Sequence, residues 1–206
     1  MITIFKYKQI EKAYSHHGYK FFNKKPYDLN MFGIRMNVND RSKDGFDDYI
    51  GCCWIDEFNQ ERLFVTNATT VPGVEQLINP SFKEAIKNGT AILKENQYRS
   101  AYKMGSHGVG NWKHTALLQV KPMEIYRDSD KDKILDFEKT TIGLYGINIH
   151  GASLINVLQN VGNYSAGCQV IQNPVHLLYF QFLWQMQSQN GNGDAFTYTL
   201  FNINDL

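Results

Sequence analysis

The chain has 206 residues, 43% of them hydrophobic and 20% charged, with a formal net charge of +1. That length and balance suit one domain with its own core and exclude the low-hydrophobicity, high-charge regime of disorder. So small a net charge gives no field that draws nucleic acid, and Lys20, Lys24 and Lys25 form a local cluster rather than a stripe, so no nucleic-acid partner is expected.

Met1 to Phe22 is dotted with charge and has no continuous apolar run, which predicts no signal peptide; no stretch of the chain predicts a transmembrane span. Synthesis in the cytoplasm without membrane insertion is the expectation. Short apolar or alternating runs then follow at Leu29–Val38, Tyr49–Asp56, Arg62–Thr66, Thr90–Leu93, Ala116–Val120, Met123–Tyr126 and Gly143–His150, separated by turn residues. That spacing predicts a mainly β core. Pro80–Lys87 reads as a short helix stopped by Asn88-Gly89, and Pro174–Gln187 as a longer one with proline in its first turn. Residues 39–48 and 188–194 read as loops, and neither a repeat nor a linker divides the chain. The fold expected is mainly β with peripheral helices.

The three cysteines cannot make a disulfide framework and lack zinc-ligand spacing. Cys52 and Cys53, between Ile50 and Trp54, read as inert packing. Cys168 differs. Tyr145-Gly146-Ile147-Asn148-Ile149-His150-Gly151 reads as a strand ending in His-Gly, and after a polar loop Ser165-Ala166-Gly167-Cys168 reads as a small-residue turn presenting a thiol. A thiol attacks a carbonyl as its thiolate, so a neighbouring imidazole can take its proton and later return it to the leaving amine. His150 is the candidate base, Cys168 the candidate nucleophile, and the Gly167 and Cys168 amides the candidate oxyanion donors. Taken singly, a cysteine beside Gly and Val is a small buried hydrophobe and a strand-end histidine a structural hydrogen-bonder.

The pair of motifs, His150-Gly151 and then Ser165-Ala166-Gly167-Cys168, resembles the signature of the L,D-transpeptidase (YkuD-like) catalytic domain, sharply over Gly143–Val170 and more weakly over Thr66–Tyr126. The resemblance implies a β-sandwich or barrel core and a single domain over 1–206, with 1–62 an N-terminal elaboration of it. It also implies a Cys168 nucleophile, a His150 base and the Gly151 carbonyl as the group orienting the imidazole. Ala166 and Val170 replace a histidine and an arginine usual in that family, features of a divergent branch met in bacteria and phages. Thr66–Gly73 resembles the Thr-Pro-x-Gly turn that opens such domains, and it also reads as a plain β-turn. Ser165, Tyr145, Asn148, His107 and Trp112 are the residues expected to line the substrate groove, although a loop histidine such as His107 is more often simply solvated.

The function so implied is a cysteine peptidase or transpeptidase acting on peptidoglycan stem peptides without a cofactor, its site of action the periplasm or cell wall, reached as a phage lysis or virion protein. The alternative is a non-catalytic peptidoglycan-binding or virion-structural module. A papain-like protease is disfavoured because there the cysteine comes first. Asp128, Asp130 and Asp132 match the opening of a calcium loop, but Lys133 and Lys139 stand where its Gly and Glu belong, so an acidic turn is expected and no metal is assigned. His16-His17 reads as a surface pair.

Overall fold

A computed structural model describes residues 5–206; the first four residues of the Met1–Phe22 stretch lie outside them. Among the described residues no helix is long and apolar enough to cross a membrane.

Eight strands close into a barrel. They are β1 (Asn30–Arg35), β2 (Asp48–Ile55), β3 (Glu61–Thr69), β5 (Asn96–His107), β6 (His114–Gln119), β9 (Ile149–Gly151), β10 (Gln169–Ile171) and β11 (Ala195–Asn202). The order around the barrel is β1-β11-β5-β6-β9-β10-β3-β2, with β2 hydrogen-bonded back to β1. Two pairs run parallel, β1 with β11 and β9 with β10; the rest are antiparallel. A separate three-stranded sheet is built from β4 (Thr90–Leu93), β7 (Met123–Asp128) and β8 (Thr140–Gly143). The protein is therefore mainly β, and residues 30–62 supply two staves of the barrel.

Helices lie outside the sheets. In α1 (Tyr7–His16), Tyr7, Ile10, Ala13 and Tyr14 fall on one helical face and are buried against Phe32, Ile34, Cys53 and Phe201. Two short helices, α2 (Val74–Ile78) and α3 (Lys83–Asn88), lead into β4. The longest, α4 (Pro174–Gln189), begins with Pro174 after the cap Asn173, whose side chain accepts from the Val175 amide at 2.9 Å. It buries Leu177, Phe180, Leu183 and Trp184 in one cluster with Met31, Ile50, Tyr102, Ile149 and Phe196.

The pleat of β2 sends Cys52 into that main core and Cys53 into the α1 cluster. Both are fully buried and burial drives both thiols well above their ordinary range, as expected of inert packing. Arg35 fastens the small sheet to the barrel: its guanidinium donates to the carbonyls of Thr70 (2.9 Å) and Leu93 (2.7 Å) and pairs with Glu95 at 2.6 Å.

Trp184 is the largest side chain with no exposure, and its indole N–H has no partner among the described residues. Trp184→Ala is expected to cost about 3–5 kcal/mol, a large share of the roughly 5–15 kcal/mol that holds a domain folded. Trp184→Phe should cost clearly less, since it also removes an unpaired donor. Urea titration of both variants checks the order; equal losses would refute it.

Candidate active site

The segment predicted as one strand over 143–150 is broken in the structure. β8 ends at Gly143, residues 144–148 form a loop in which Gly146 has φ +71°, and only Ile149–Gly151 is strand. Gln119 at the end of β6 causes the break. Its side-chain oxygen accepts from the amides of Tyr145 (3.0 Å) and Ile147 (2.9 Å), and its amide group donates to the Gly143 carbonyl at 3.0 Å. Backbone groups that would have continued a ladder are satisfied by one side chain instead.

β9 and β10 pair Ile149 with Gln169 and His150 with Val170, and the Gln169 amide extends the ladder by donating to the Asn148 carbonyl at 2.9 Å. Ile149 and Ile171 face the barrel core, so alternation puts Asn148, His150, Cys168 and Val170 together on the outer face. Val170 is covered there by Phe46, Ala152 and Val161, with half-buried Cys168 beside them. His150 and Cys168 are thus diagonal neighbours on one face, a relation that places Cα atoms roughly 8 Å apart.

Each side chain has a defined partner. The Nδ1 of His150 lies 3.0 Å from the Gly151 carbonyl, which can only accept, so Nδ1 carries the hydrogen and Nε2 keeps a free lone pair. A Cβ on Gly151 would sit 2.6 Å from Cδ2 of Leu177 on α4, so a larger residue there would displace that side chain. The His107 ring stacks on His150 with centroids 4.0 Å apart, and His114 lies 6.1 Å away. Burial first, then the two neighbouring imidazoles, hold His150 down to about 3, so it is a neutral base across the physiological range. The Cys168 thiol lies 3.4 Å from the Gly146 carbonyl, and burial pushes it up to about 11. An anionic sulfur near neutral pH, the requirement inferred from the sequence, is not the resting state: thiol and imidazole both rest uncharged.

The turn before Cys168 is fixed from within. The Ser165 hydroxyl donates to the Cys168 carbonyl at 2.8 Å and accepts from the Gly167 amide at 3.2 Å. Ser165 is fully buried, so it shapes the turn and does not reach a substrate as the sequence reading expected. The Gly167 amide is likewise engaged by Ser165, which leaves Cys168 as the available member of the two expected oxyanion donors. Gly167 has φ +118°, and a Cβ would meet the Ala91 carbonyl at 2.5 Å, so glycine is required on both counts.

No family model, curated protein or solved structure matches the chain.

Two cavities flank the pair. One, of about 730 Å³, is lined by Cys168, Ala166, Asn148, Tyr145, Arg127 and His107 among others, within the roughly 300–1,000 Å³ of small-ligand sites. The other, about 200 Å³, holds His150, Gly151, His107, His114 and Trp112. His107 borders both, and Asn148 Nδ2 lies 3.4 Å from its Nδ1. Of the expected groove residues, Tyr145, Asn148 and His107 therefore share the cysteine's cavity, while Trp112 lies on the histidine side.

Sequence reasoning missed His114, Gln119 and Arg127. His107 and His114 close the β5–β6 hairpin as register partners, and the Gly151 amide donates to His114 Nε2 at 3.4 Å. Reading Gly105–Gly108 as loop hid that pairing, because residues through His107 are strand. Arg127 is buried on the cavity wall, 4.6 Å over the Tyr145 ring and paired with Glu84 at 2.9 Å.

Proposed function

We propose that the chain is a cysteine acyl-transfer enzyme of the L,D-transpeptidase kind, acting on peptide stems of peptidoglycan. The observation that carries this reading is a neutral His150, its Nδ1 tied to the Gly151 carbonyl, set diagonally from Cys168, which lines a cavity of about 730 Å³ while His150 lines the smaller one beside it. In the first half-reaction the sulfur attacks the amide carbonyl carbon while its proton passes to His150 Nε2. The carbonyl π pair moves onto oxygen, where the Cys168 amide meets it. Collapse expels the amine, which takes the proton from His150 and leaves a thioester. Water or a second amine, deprotonated by His150, then attacks the thioester and the sulfur leaves with the returned proton. The first acceptor gives a peptidase and the second a transpeptidase.

Arg127 and Glu84 put one charge of each sign on the cavity wall, which suits a substrate end carrying both an amine and a carboxylate. Val170 occupies the position of the family's usual arginine; Arg127 on the cavity wall already donates to Thr141, the Gly89 carbonyl and Glu84, so it would have to exchange the Glu84 pair to bind a substrate carboxylate. Incubation with purified peptidoglycan, followed by mass spectrometry, should reveal new stem fragments or cross-links with wild type and none with Cys168→Ala; equal products from both would remove the proposal.

The protonated thiol and the engaged Gly167 amide favour a second reading, a binding module that keeps the groove without chemistry. Exposure alone makes Cys168 more accessible than Cys52 or Cys53, so a bare labelling contrast does not separate the two. Carbapenem acylation does. An enzyme acylates at Cys168 and slows sharply as His150→Ala, whereas a binding module is indifferent to that change.

A further inference from the structure

The turn between β7 and β8 gathers carboxylates that the reaction does not use. Asp128, Asp130 and Asp136 each offer an oxygen within 4.8 Å of the other two. Asp128 is 2% exposed and its Oδ1 has no hydrogen-bond partner among the described residues; its Oδ2 accepts from the Asp136 amide at 3.1 Å. A buried carboxylate oxygen with no donor is costly, and two further acids gathered beside that carboxylate raise the cost unless positive charge sits among them. Among the described residues none of the three forms an ion pair with Lys or Arg.

We infer that Asp128, Asp130 and Asp136 form a calcium site, with the unpartnered Asp128 oxygen as its innermost ligand. Oxygen-only donors select a hard cation, and a carboxylate-rich turn of irregular geometry suits Ca²⁺ better than Mg²⁺, which demands a strict octahedron and keeps most of its water. Waters and main-chain carbonyls of the turn complete the shell. The ligands differ from the sequence pattern: Asp132 is engaged by the Ile134 amide, and Asp136 takes the third place.

The turn is fastened to the barrel's outer loop. The Arg41 amide donates to the Lys133 carbonyl and the Leu135 amide to the Asn39 carbonyl, and the same loop reaches the segment leading into the cysteine turn through Asp44, which accepts from the Gly162 amide at 2.8 Å. A bound cation therefore stabilises the support of the site as well as the turn.

The test uses the full chain stripped with EDTA, then titrated calorimetrically and melted with CaCl₂ or MgCl₂. Calcium should bind with unit stoichiometry and raise the Tm by several degrees, magnesium should do clearly less, and Asp130→Asn or Asp136→Asn should weaken calcium binding roughly tenfold or more. Asp130 is exposed, so its variant keeps the fold where Asp128→Asn risks it. The site is refuted if millimolar calcium gives no heat and no Tm change, if magnesium equals calcium, or if both the Asp130 and Asp136 variants respond as wild type does.

Discussion

Replacing His150 with alanine is expected to lower stem-peptide turnover by roughly 100-fold, the lower end of a positioned general base's contribution because an imidazole held down to about 3 is a weak base at pH 7, with KM little changed. The direction follows from the resting charges. A thiol pushed up to about 11 is almost wholly protonated at pH 7, so attack requires its proton to move as the bond forms, and His150 is its diagonal neighbour on the same face of the β9–β10 pair. The sign of the pH dependence also follows. His150 is lowered, so it stays neutral and competent until the pH falls toward 3, and kcat/KM should hold steady from pH 7 down through pH 5. Alkylation of Cys168 by iodoacetamide should instead climb about tenfold per pH unit between pH 7 and 10, as for any thiol below its pKa. A thiolate–imidazolium pair would give a flat alkylation profile over that range, and an acid limb near 6.5 in kcat/KM would show that His150 is not held as described.

The second large effect is expected from Gly73→Ala, a change of one methyl group outside the cavity. Gly73 precedes α2, and its amide donates to the Ser165 carbonyl at 3.0 Å. A Cβ there would lie 2.0 Å from the Gly162 carbonyl oxygen, and both partners are main chain, so no side chain can swing aside. The turn carrying Cys168 has to move. Overpacking of this kind costs about 1–3 kcal/mol, and displacement of the nucleophile by about an ångström can cost roughly 100-fold in rate. Loss of turnover with only a modest fall in Tm is the expected outcome; a variant matching wild type in both would show that Gly73 does not set the position of the turn.

Much of the frame was legible locally. Thr90–Leu93 is strand over the predicted residues, Met123–Tyr126 lies within β7, and the helix at Pro174 begins where its cap and proline place it. The elements that escaped are those whose pattern is set by distant partners. β5 mixes lysine, arginine and serine with aromatics over twelve residues, and β11 is buried on both faces, so neither alternates cleanly. In α1, two lysines and a glutamate dilute a narrow apolar stripe. Around the site, the His-Gly and Gly-Cys pieces stand out because glycine and cysteine are rare in such settings. What no local pattern contains is Gln119 capturing the amides of 145 and 147, or His107 stacking on His150 from another hairpin. Burial of the thiol is likewise a property of the assembled face, which is why the sequence suggested an anion.

The seam between β1 and β11 joins Met31 to Tyr198 and Arg35 to Asn202 across most of the chain. During synthesis, β1 therefore waits until residues 195–202 have left the ribosome before that flank is paired, and β5 waits with it. Until then the nascent protein carries two open strand margins, one of them made of Met31, Phe32 and Ile34, of the sort that recruit other chains. Closure of the barrel thus depends on β11, and slow long-range pairing is built into the order in which its staves emerge.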